Sequence, residues 1–111
     1  MSPVRTISPL EVDELFEQGA FLLDVREDDE WASGRDARAH HIRLSELPDH
    51  LGEIPSDTTI VCVCRVGGRS LRAAEFLDGG GFVTCNVEGG MLGWETHGLP
   101  LIGDDDIVRI I

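Results

Sequence analysis

One segment constrains the fold of this chain more than any other: the run at residues 58–63, with the sequence Thr-Thr-Ile-Val-Cys-Val. The run is almost continuously apolar or β-branched, which is typical of a strand at the centre of a parallel sheet. It stops abruptly at Cys64, and Gly67 and Gly68 follow closely. A strand of this kind needs helices on both faces of its sheet, so the sequence predicts an α/β fold.

Apolar segments alternate with helical patterns along the rest of the chain. We predict strands at residues 4–7, 21–25, around 41–42, 58–63 and 82–87, and helices at 9–18, 27–33, 70–77 and 91–97. Residues 45–51 are expected to form a turn or a short helix. The repeated order of strand, helix and strand predicts a central, mainly parallel sheet of five strands with helices on both faces. Because 111 residues provide one core, we expect a single domain over residues 1–111.

The first helix has a well-marked start. Ser8 is predicted as its N-cap, Pro9 as its first residue and Glu11 as the residue that completes a capping box. The apolar stripes predicted for the helices at 9–18 and 70–77 comprise Leu10, Val12, Leu15 and Phe16 in the first and Leu71, Ala74 and Leu77 in the second.

The chain is strongly acidic: 21 Asp and Glu against 9 Lys and Arg give a net charge of −12. This charge repels nucleic acids and anionic membranes, so we expect neither as a partner. All 9 basic residues are arginine, which excludes Schiff-base lysines and lysine-dependent phosphate loops. We find no secretory signal and no apolar run of the roughly 18 residues that a membrane-spanning helix needs, and we expect a cytoplasmic protein.

Cys64 is the candidate nucleophile. Ligands of open parallel sheets bind beyond the carboxyl ends of the strands, which is where Cys64 is predicted to lie. Gly67 and Gly68 allow successive amides to turn inward, and the helix that begins near Ser70 directs its positive end at the same point. Such surroundings lower the pKa of a cysteine from about 8.5 to roughly 3.5–7.5. We therefore predict that Cys64 is ionised at neutral pH.

The segment after Cys64 is basic within an acidic chain. It contains Arg65, Arg69 and Arg72 but only one acid, Glu75. The field of the surrounding acids is screened over about 8 Å. The segment is therefore expected to favour a small anionic ligand over a large polyanion.

Other candidate residues have simpler interpretations. Cys62 and Cys85 lie in apolar strands and are expected to be inert core residues, and an odd number of cysteines forms no closed disulfide framework. The four histidines show no metal-binding spacing, so no metal ligand is predicted. The carboxylates at residues 27–30 and 104–106 are interpreted as solvated surfaces.

The segment from Cys64 to Ser70 resembles the active-site loop of the single-domain rhodanese-like sulfurtransferases, in which a cysteine, four residues and an arginine precede Ser or Thr. The order and spacing of further motifs fit across nearly the whole chain. These motifs are the Asp-Val-Arg segment at residues 23–27, the Glu-aromatic pair Glu30-Trp31, and the closing segment at residues 86–94 and 98–100.

The resemblance implies a rhodanese-like fold and a sulfurtransferase that needs no cofactor. Cys64 is implied to take the outer sulfur of thiosulfate or a similar small anionic donor and to hold it as a persulfide. The sulfur would then pass to cyanide, to a thiol or to a thioredoxin-like protein. The amides of the loop are implied to stabilise the transferred sulfur. The loop residues concerned are Arg65, Val66, Gly67, Gly68 and Arg69.

Three side chains receive individual roles from the resemblance. Arg65 corresponds to the cation that follows the cysteine in members that use thiosulfate. Arg69 is implied to brace the loop through a carboxylate, for which Asp24 is the candidate. Ser70 is expected to support the site.

Two departures from the family pattern affect what the resemblance implies. Val66 stands where many members have Ser or Thr, and losing one donor can cost a factor of about 10² in rate, so slow turnover is expected. At residues 34–42 the family's Gly-His-x-x-Gly-Ala segment is broken, and Arg38 replaces its second glycine. This change is expected to alter the turn and to add basic charge near the entrance.

Two alternative functions remain open. One is a persulfide carrier or partner-docking module of the same fold with little turnover, which the two departures favour. The other is a cysteine phosphatase, which is disfavoured because only four residues separate Cys64 from Arg69. The shorter loop suits one sulfur atom better than a tetrahedral phosphate.

Overall fold

The computed structural model describes residues 4–111, so residues 1–3 of the predicted domain lie outside the described range. The strands are β1 (Arg5–Ile7), β2 (Phe21–Asp24), β3 (His40–His41), β4 (Thr59–Val63) and β5 (Val83–Val87). The α-helices are α1 (Val12–Glu17), α2 (Asp28–Ser33), α3 (Gly68–Gly79) and α4 (Gly90–Thr96), and 3₁₀ helices span Pro9–Glu11, Leu44–Asp49 and Leu51–Glu53. All neighbouring strands are parallel, in the order β1-β5-β4-β2-β3. The predicted α/β fold with five parallel strands is confirmed.

The central strand β4 divides the hydrophobic core in two. Ile60 and Cys62 belong to one cluster, which also contains the buried apolar side chains of α3. Val61 and Val63 belong to the other cluster, which contains Trp94 of α4. Since successive side chains of a strand point to opposite faces, both faces of β4 are covered by helices. This double burial explains why residues 58–63 are apolar almost without a break.

The capping box at the start of the first helical segment is present as predicted. The Ser8 hydroxyl accepts a hydrogen bond from the Leu10 amide, and the Glu11 carboxylate accepts one from the Ser8 amide. The predicted apolar stripe is wrong in two places, because Leu10 is 60% exposed and Phe16 is 38% exposed. Residues 9–11 form a 3₁₀ helix rather than α-helix, and its tighter period turns Leu10 away from the core.

The stripe predicted for α3 is also partly wrong. The helix begins at Gly68, and its buried side chains are those of Ser70, Ala73, Ala74 and Leu77. This set follows the i, i+3, i+4, i+7 spacing of one helix face, whereas Leu71 lies outside it and is 37% exposed. In the part of the chain that the structure describes, no helix combines the length and apolar composition that crossing a membrane requires.

Beyond α4, the chain folds back across α2. The amides of Asp104 and Arg109 donate hydrogen bonds to main-chain carbonyls at the end of α2. Ile110 is buried in the same cluster as Trp94. This path brings Ile111 beside the end of β4, where its carbonyl accepts a 2.9 Å hydrogen bond from Nε of Arg65.

Candidate active site

Cys64 follows the last residue of β4, at the carboxyl edge of the sheet, as predicted. Its sulfur receives a hydrogen bond from the Gly67 amide, with N and Sγ 3.1 Å apart. The Ser70 hydroxyl donates to the same sulfur at 3.2 Å, and the nearby amides of Val66 and Ser70 also favour its negative charge. Three amides and one hydroxyl therefore surround one atom. The arrangement is an anion site made largely of main-chain groups.

The turn that makes this convergence possible depends on Gly67. Its φ is +116°, a left-handed conformation that side chains other than glycine rarely adopt. The residue is the N-cap of α3, which begins at Gly68, two residues before the predicted start near Ser70. The first turn of α3 consequently places the Ser70 hydroxyl 3.2 Å from the sulfur.

The opposite side of the loop is held by the start of α4. The Met91 amide donates to the Cys64 carbonyl at 2.8 Å, and the Leu92 amide donates to the Arg65 carbonyl at 3.0 Å. The two segments approach so closely that a Cβ on Gly90 would lie 2.4 Å from the Cys64 carbonyl oxygen. With these carbonyls bound by α4, the loop amides are left to point toward the sulfur. The sequence motif identified Gly90 by resemblance but gave no reason for it.

These contacts determine the acidity of Cys64. Burial by itself raises the pKa of the thiol, but the Ser70 hydroxyl and the amides of Ser70, Gly67 and Val66 outweigh it. The pKa of Cys64 is therefore below its ordinary value. Cys64 is 1% exposed, while Arg65 and Val66 beside it are exposed. The sulfur is thus shielded from solvent, with exposed residues directly beside it in the chain.

The other two cysteines have the opposite character. Cys62 and Cys85 are buried and carry free thiols. Burial raises the pKa of Cys62 strongly, and it raises the pKa of Cys85 to about 11. Both thiols therefore stay protonated at neutral pH, in keeping with the prediction that they are core residues.

Arg69 braces the loop through a carboxylate, but the partner is Glu30 and not Asp24. Its two terminal nitrogens contact the two carboxylate oxygens of Glu30 at 2.7 and 2.8 Å. Glu30 belongs to α2 and is only partly exposed, so interpreting residues 27–30 as a solvated surface is wrong at this position. The bidentate pair lowers the pKa of Glu30 from 4.5 to about 2, mainly through the hydrogen bond from Arg69.

Asp24 is bound by Arg26 instead. Both residues are completely buried, and the Arg26 guanidinium contacts both carboxylate oxygens of Asp24, the closest at 2.7 Å. Arg26 also donates to the carbonyls of Glu30 and Gly34, at either end of the last turn of α2. The prediction that Asp24 pairs with Arg69 is wrong because an arginine two residues away already occupies the carboxylate. Asp24 supports the site indirectly, by fixing α2.

Two other arginines, Arg65 and Arg38, are predicted to add positive charge near the site. Arg65 is exposed and adjacent to the sulfur in the chain, with its guanidinium oriented by the carbonyl of Ile111. Arg38 makes ion pairs with Asp13 and Asp36. Its charge is thereby neutralised, and the expectation that it adds basic charge near the entrance is wrong.

Two polar residues near the loop are partners in the site that the sequence pattern did not predict. Asn86 is buried on β5 and contacts both Ser70 and Gly67. Glu30 was named only as part of a resemblance. A signal for Asn86 exists in the alternation of β5, where Thr84 and Asn86 place two polar residues on one face. Among residues 4–111, no three His, Cys, Asp or Glu side chains are grouped so as to hold a metal ion.

Comparison with models of protein families identifies the family of this chain. The model described as the rhodanese-like domain matches residues 8–97. The chain belongs to the rhodanese-like domain family. The match contains the loop, Glu30, Asn86 and Gly90, whereas the segment that folds back to Arg65 lies outside it.

Individual relatives support the assignment of this rhodanese-like domain. It is similar to YtwF of Bacillus subtilis, with 44% identity over 80 residues that cover 72% of this chain and 78% of that protein. It is also similar to the thiosulfate sulfurtransferase GlpE of Pseudomonas syringae pv. syringae, with 34% identity over 97 residues that cover 86% and 92% of the two chains. A solved rhodanese-related protein from Thermoplasma volcanium matches with a TM-score of 0.82 and 33% identity, covering 88% of this chain and 97% of that one. The predicted rhodanese-like fold is confirmed.

Proposed function

We propose that this rhodanese-like domain is a sulfurtransferase that moves a sulfane sulfur from thiosulfate, or a similar small anionic donor, to a nucleophilic acceptor through a persulfide on Cys64. The observation that carries the proposal is that the Gly67 amide and the Ser70 hydroxyl both donate hydrogen bonds to the Cys64 sulfur, with the amides of Val66 and Ser70 also favouring its negative charge. The same donors that favour the thiolate can stabilise the negative terminal sulfur of a persulfide.

The first half-reaction forms the persulfide. The Cys64 thiolate attacks the outer sulfur of thiosulfate, and a new S–S bond forms on Cys64. The S–S bond within thiosulfate breaks, and its electron pair leaves with sulfite. No proton is consumed in this step, and the nucleophile is the Cys64 thiolate, whose formation is favoured by the lowered pKa of Cys64.

The second half-reaction returns the enzyme to its starting state. Cyanide, or a thiolate on a small molecule or a thioredoxin-like protein, attacks the terminal sulfur of the persulfide. A bond forms between the acceptor and that sulfur, and the Cys64 S–S bond breaks with its electron pair returning to Cys64. With cyanide the product is thiocyanate. Sulfite leaves before the acceptor reacts, so the reaction follows a ping-pong scheme.

Arg65 is the proposed selector for an anionic donor. It follows Cys64 directly, it is exposed, and its guanidinium is held in place by Ile111. A guanidinium at this position suits the sulfonate-like oxygens of thiosulfate, because planar N–H donors match oxyanions well. Arg69 has a different part in the proposal, since Glu30 already takes its charge.

A second candidate function is a persulfide carrier with little turnover. Two observations favour it: the Val66 side chain provides no hydroxyl to the loop, and Cys64 is only 1% exposed. A carrier would load its sulfur from a donor as the enzyme does, but would release it slowly to small acceptors. We distinguish the two by comparing single-turnover loading of Cys64 with steady-state thiocyanate formation; rapid loading with negligible steady-state formation would favour the carrier.

Mass spectrometry of the intact protein tests the proposal. Treatment with thiosulfate is expected to add the mass of one sulfur atom, and peptide mapping is expected to place it on Cys64. Cys64→Ala should abolish the gain, whereas the matched variants Cys62→Ala and Cys85→Ala should keep it. Sulfur on Cys85, or no gain in the unchanged protein with any anionic sulfane donor, would contradict the proposal.

A further inference from the structure

Asn86 lies behind the loop and has no part in the function proposed above. In the pairing of β4 with β5 it stands opposite Cys62, and paired residues point to the same face of a sheet. Asn86 is therefore on the face that carries Cys64 and α3, where it is 6% exposed. Its side-chain nitrogen donates to the Gly67 carbonyl at 3.0 Å, and its Oδ1 lies 2.5 Å from the Ser70 hydroxyl.

The orientation of the Asn86 amide follows from these two neighbours. The Gly67 carbonyl can only accept a hydrogen bond, so the NH₂ group of Asn86 must face it. Oδ1 must then face Ser70. Because an amide oxygen has no hydrogen, the 2.5 Å contact needs the hydroxyl hydrogen of Ser70.

The same hydroxyl also lies 3.2 Å from the Cys64 sulfur. A serine hydroxyl has one hydrogen to donate, and here it meets two acceptors. When Cys64 is a thiol, its S–H donates to Ser70, and Ser70 donates to Asn86, so every group has a partner. When Cys64 is a thiolate, the Ser70 hydrogen turns to the sulfur, and the buried Oδ1 of Asn86 loses its donor.

We propose that Asn86 is a positioning residue that acts through Ser70, holding the Ser70 hydrogen while Cys64 is a thiol and yielding it when the sulfur carries negative charge. Asn86 therefore opposes ionisation of the resting thiol by competing for its strongest side-chain donor. The proposal rests on Cys64 as the reacting group of the proposed function. It adds a second determinant of reactivity to the main-chain donors of the loop.

The charged and titratable groups around Cys64 come from several elements. Arg65 belongs to the loop itself, and Arg69 of α3 interacts electrostatically with the sulfur. Glu30 of α2 is bound to Arg69, and Cys62 of β4 interacts with Cys64. Helix α4 contributes main-chain amides to the loop carbonyls. A change at Asn86 alters none of these charges, so its effect on Cys64 can be isolated.

A double-mutant cycle on the pKa of Cys64 tests the proposal. The pKa is read from the ultraviolet absorbance of the thiolate, after subtraction of the Cys64→Ala titration. The chain contains no tyrosine, so no phenolate absorbs in the same range. Asn86→Ala is expected to lower the pKa of Cys64 by roughly one unit, and Ser70→Ala to raise it. In the Ser70→Ala background, Asn86→Ala should no longer produce the fall.

The comparison between the two backgrounds decides the outcome. If Asn86→Ala shifts the pKa of Cys64 by the same amount and in the same direction with and without Ser70, the proposal is overturned, because Asn86 would then act on the loop without the hydroxyl. If Asn86→Ala shifts the pKa of Cys64 in neither background, the proposal is overturned as well. If the alanine variant does not fold, Asn86→Val enters the same cycle, since valine suits a strand. A second readout leaves Asn86 unchanged. In nuclear magnetic resonance spectra, the side-chain amide resonances of Asn86 are expected to shift as Cys64 titrates, and this shift should be absent in Ser70→Ala.

This experiment is independent of sulfur transfer. It uses no donor and no acceptor, so a protein that fails to load sulfur still reports the pKa of Cys64. Conversely, a protein that loads sulfur but shows no coupling between Ser70 and Asn86 keeps the proposed function and loses this inference.

Discussion

At Glu30, one carboxylate joins two parts of the site. Its oxygens accept hydrogen bonds from both terminal nitrogens of Arg69, and one of them also accepts from the Glu27 amide at the start of α2. The first turn of α2 and the first turn of α3 are thereby linked by a single side chain. Because Glu30 is largely shielded from solvent, this link is expected to contribute more than a typical surface ion pair.

The lowered pKa of Glu30 predicts a specific dependence of the free energy of unfolding on pH. Its pKa is about 2 in the folded protein against 4.5 in the unfolded chain, so its contribution is complete above pH 4.5 and is lost as the pH falls toward 2. Allowing for solvent screening, Glu30→Gln is expected to reduce the free energy of unfolding by about 2 kcal/mol at neutral pH. Urea unfolding of the two proteins should give values that converge as the pH falls through this window.

Asp29→Asn is the matched control for this prediction. Asp29 precedes Glu30 in α2 and is exposed, so its loss should change the free energy of unfolding little at any pH. A constant difference between the natural protein and Glu30→Gln from pH 7 to pH 2 would show that the pair with Arg69 does not have the stated role.

The partner of Arg69 also shows where residue-level prediction from the sequence stops. The resemblance correctly implies that a carboxylate braces this arginine, but several acids in residues 24–30 are candidates. Asp24 ends its strand close to the loop, yet the buried Arg26 takes it. Which acid reaches Arg69 depends on how α2 sits against α3, and that packing is a long-range property that spacing in the sequence does not contain. Asn86 was missed for the same reason, because its partners come from a different element.

At the scale of elements, the start of α4 acts as a support for the loop. Two of its amides hold the carbonyls of Cys64 and Arg65, and Gly90 permits the contact because it has no Cβ. Its φ of +55° is a second reason for glycine at this position. The helix therefore sets the direction in which the loop amides point, and it does so through its own main-chain amides.

Gly90→Ala is expected to damage both the fold and the site. A Cβ would lie 2.4 Å from the Cys64 carbonyl oxygen and 2.6 Å from the Arg65 carbonyl carbon, so the loop must move away. We expect the free energy of unfolding to fall by about 2 kcal/mol and sulfur loading of Cys64 to be lost. Urea unfolding and the intact mass after thiosulfate treatment measure the two effects.

Gly79→Ala provides the comparison, since it lies in α3 and a Cβ there would meet no atom within 4 Å. This variant should load sulfur normally and be at least as stable as the natural chain, because alanine favours a helix. Normal loading by Gly90→Ala would contradict the role given to α4.

Most elements could be predicted from the sequence because their signals are local. The run at 58–63, the capping box at Ser8 and the glycines after α3 all act within a few residues, and the corresponding elements are present in the structure. The errors fall where a longer-range effect decides. Hydrophobicity alone places Leu10 and Leu71 in buried stripes, but the 3₁₀ turn at residues 9–11 directs Leu10 outward and the buried face of α3 excludes Leu71.

Over the whole molecule, the charge distribution works against the proposed donor. The net charge of −12 repels an anion at long range, and the site attracts it only locally. Arg69 contributes little to this attraction because Glu30 neutralises it, which leaves Arg65 as the cation beside Cys64. The effect of the net charge and the effect of Arg65 on the rate of sulfur loading can be measured separately.

Arg65→Ala is expected to slow loading by thiosulfate roughly tenfold or more while changing loading by an uncharged sulfane donor less, as expected for a lost charge-assisted contact. Arg72→Ala is the control, because it removes the same charge from an exposed position on α3 and also changes the net charge from −12 to −13. Rates of mass gain with the two donors provide the comparison. Equal losses for Arg65→Ala and Arg72→Ala would assign the effect to net charge and exclude Arg65 from donor recognition.

The path of the chain after α4 has a practical consequence. Ile110 is anchored in the core and the carbonyl of Ile111 accepts a hydrogen bond from Arg65, so any peptide joined to Ile111 emerges beside the Arg65 guanidinium. An affinity tag fused there is expected to displace the guanidinium that we propose as the binding group for an anionic donor. Assays of this protein are therefore best carried out with the tag at the other end or cleaved away.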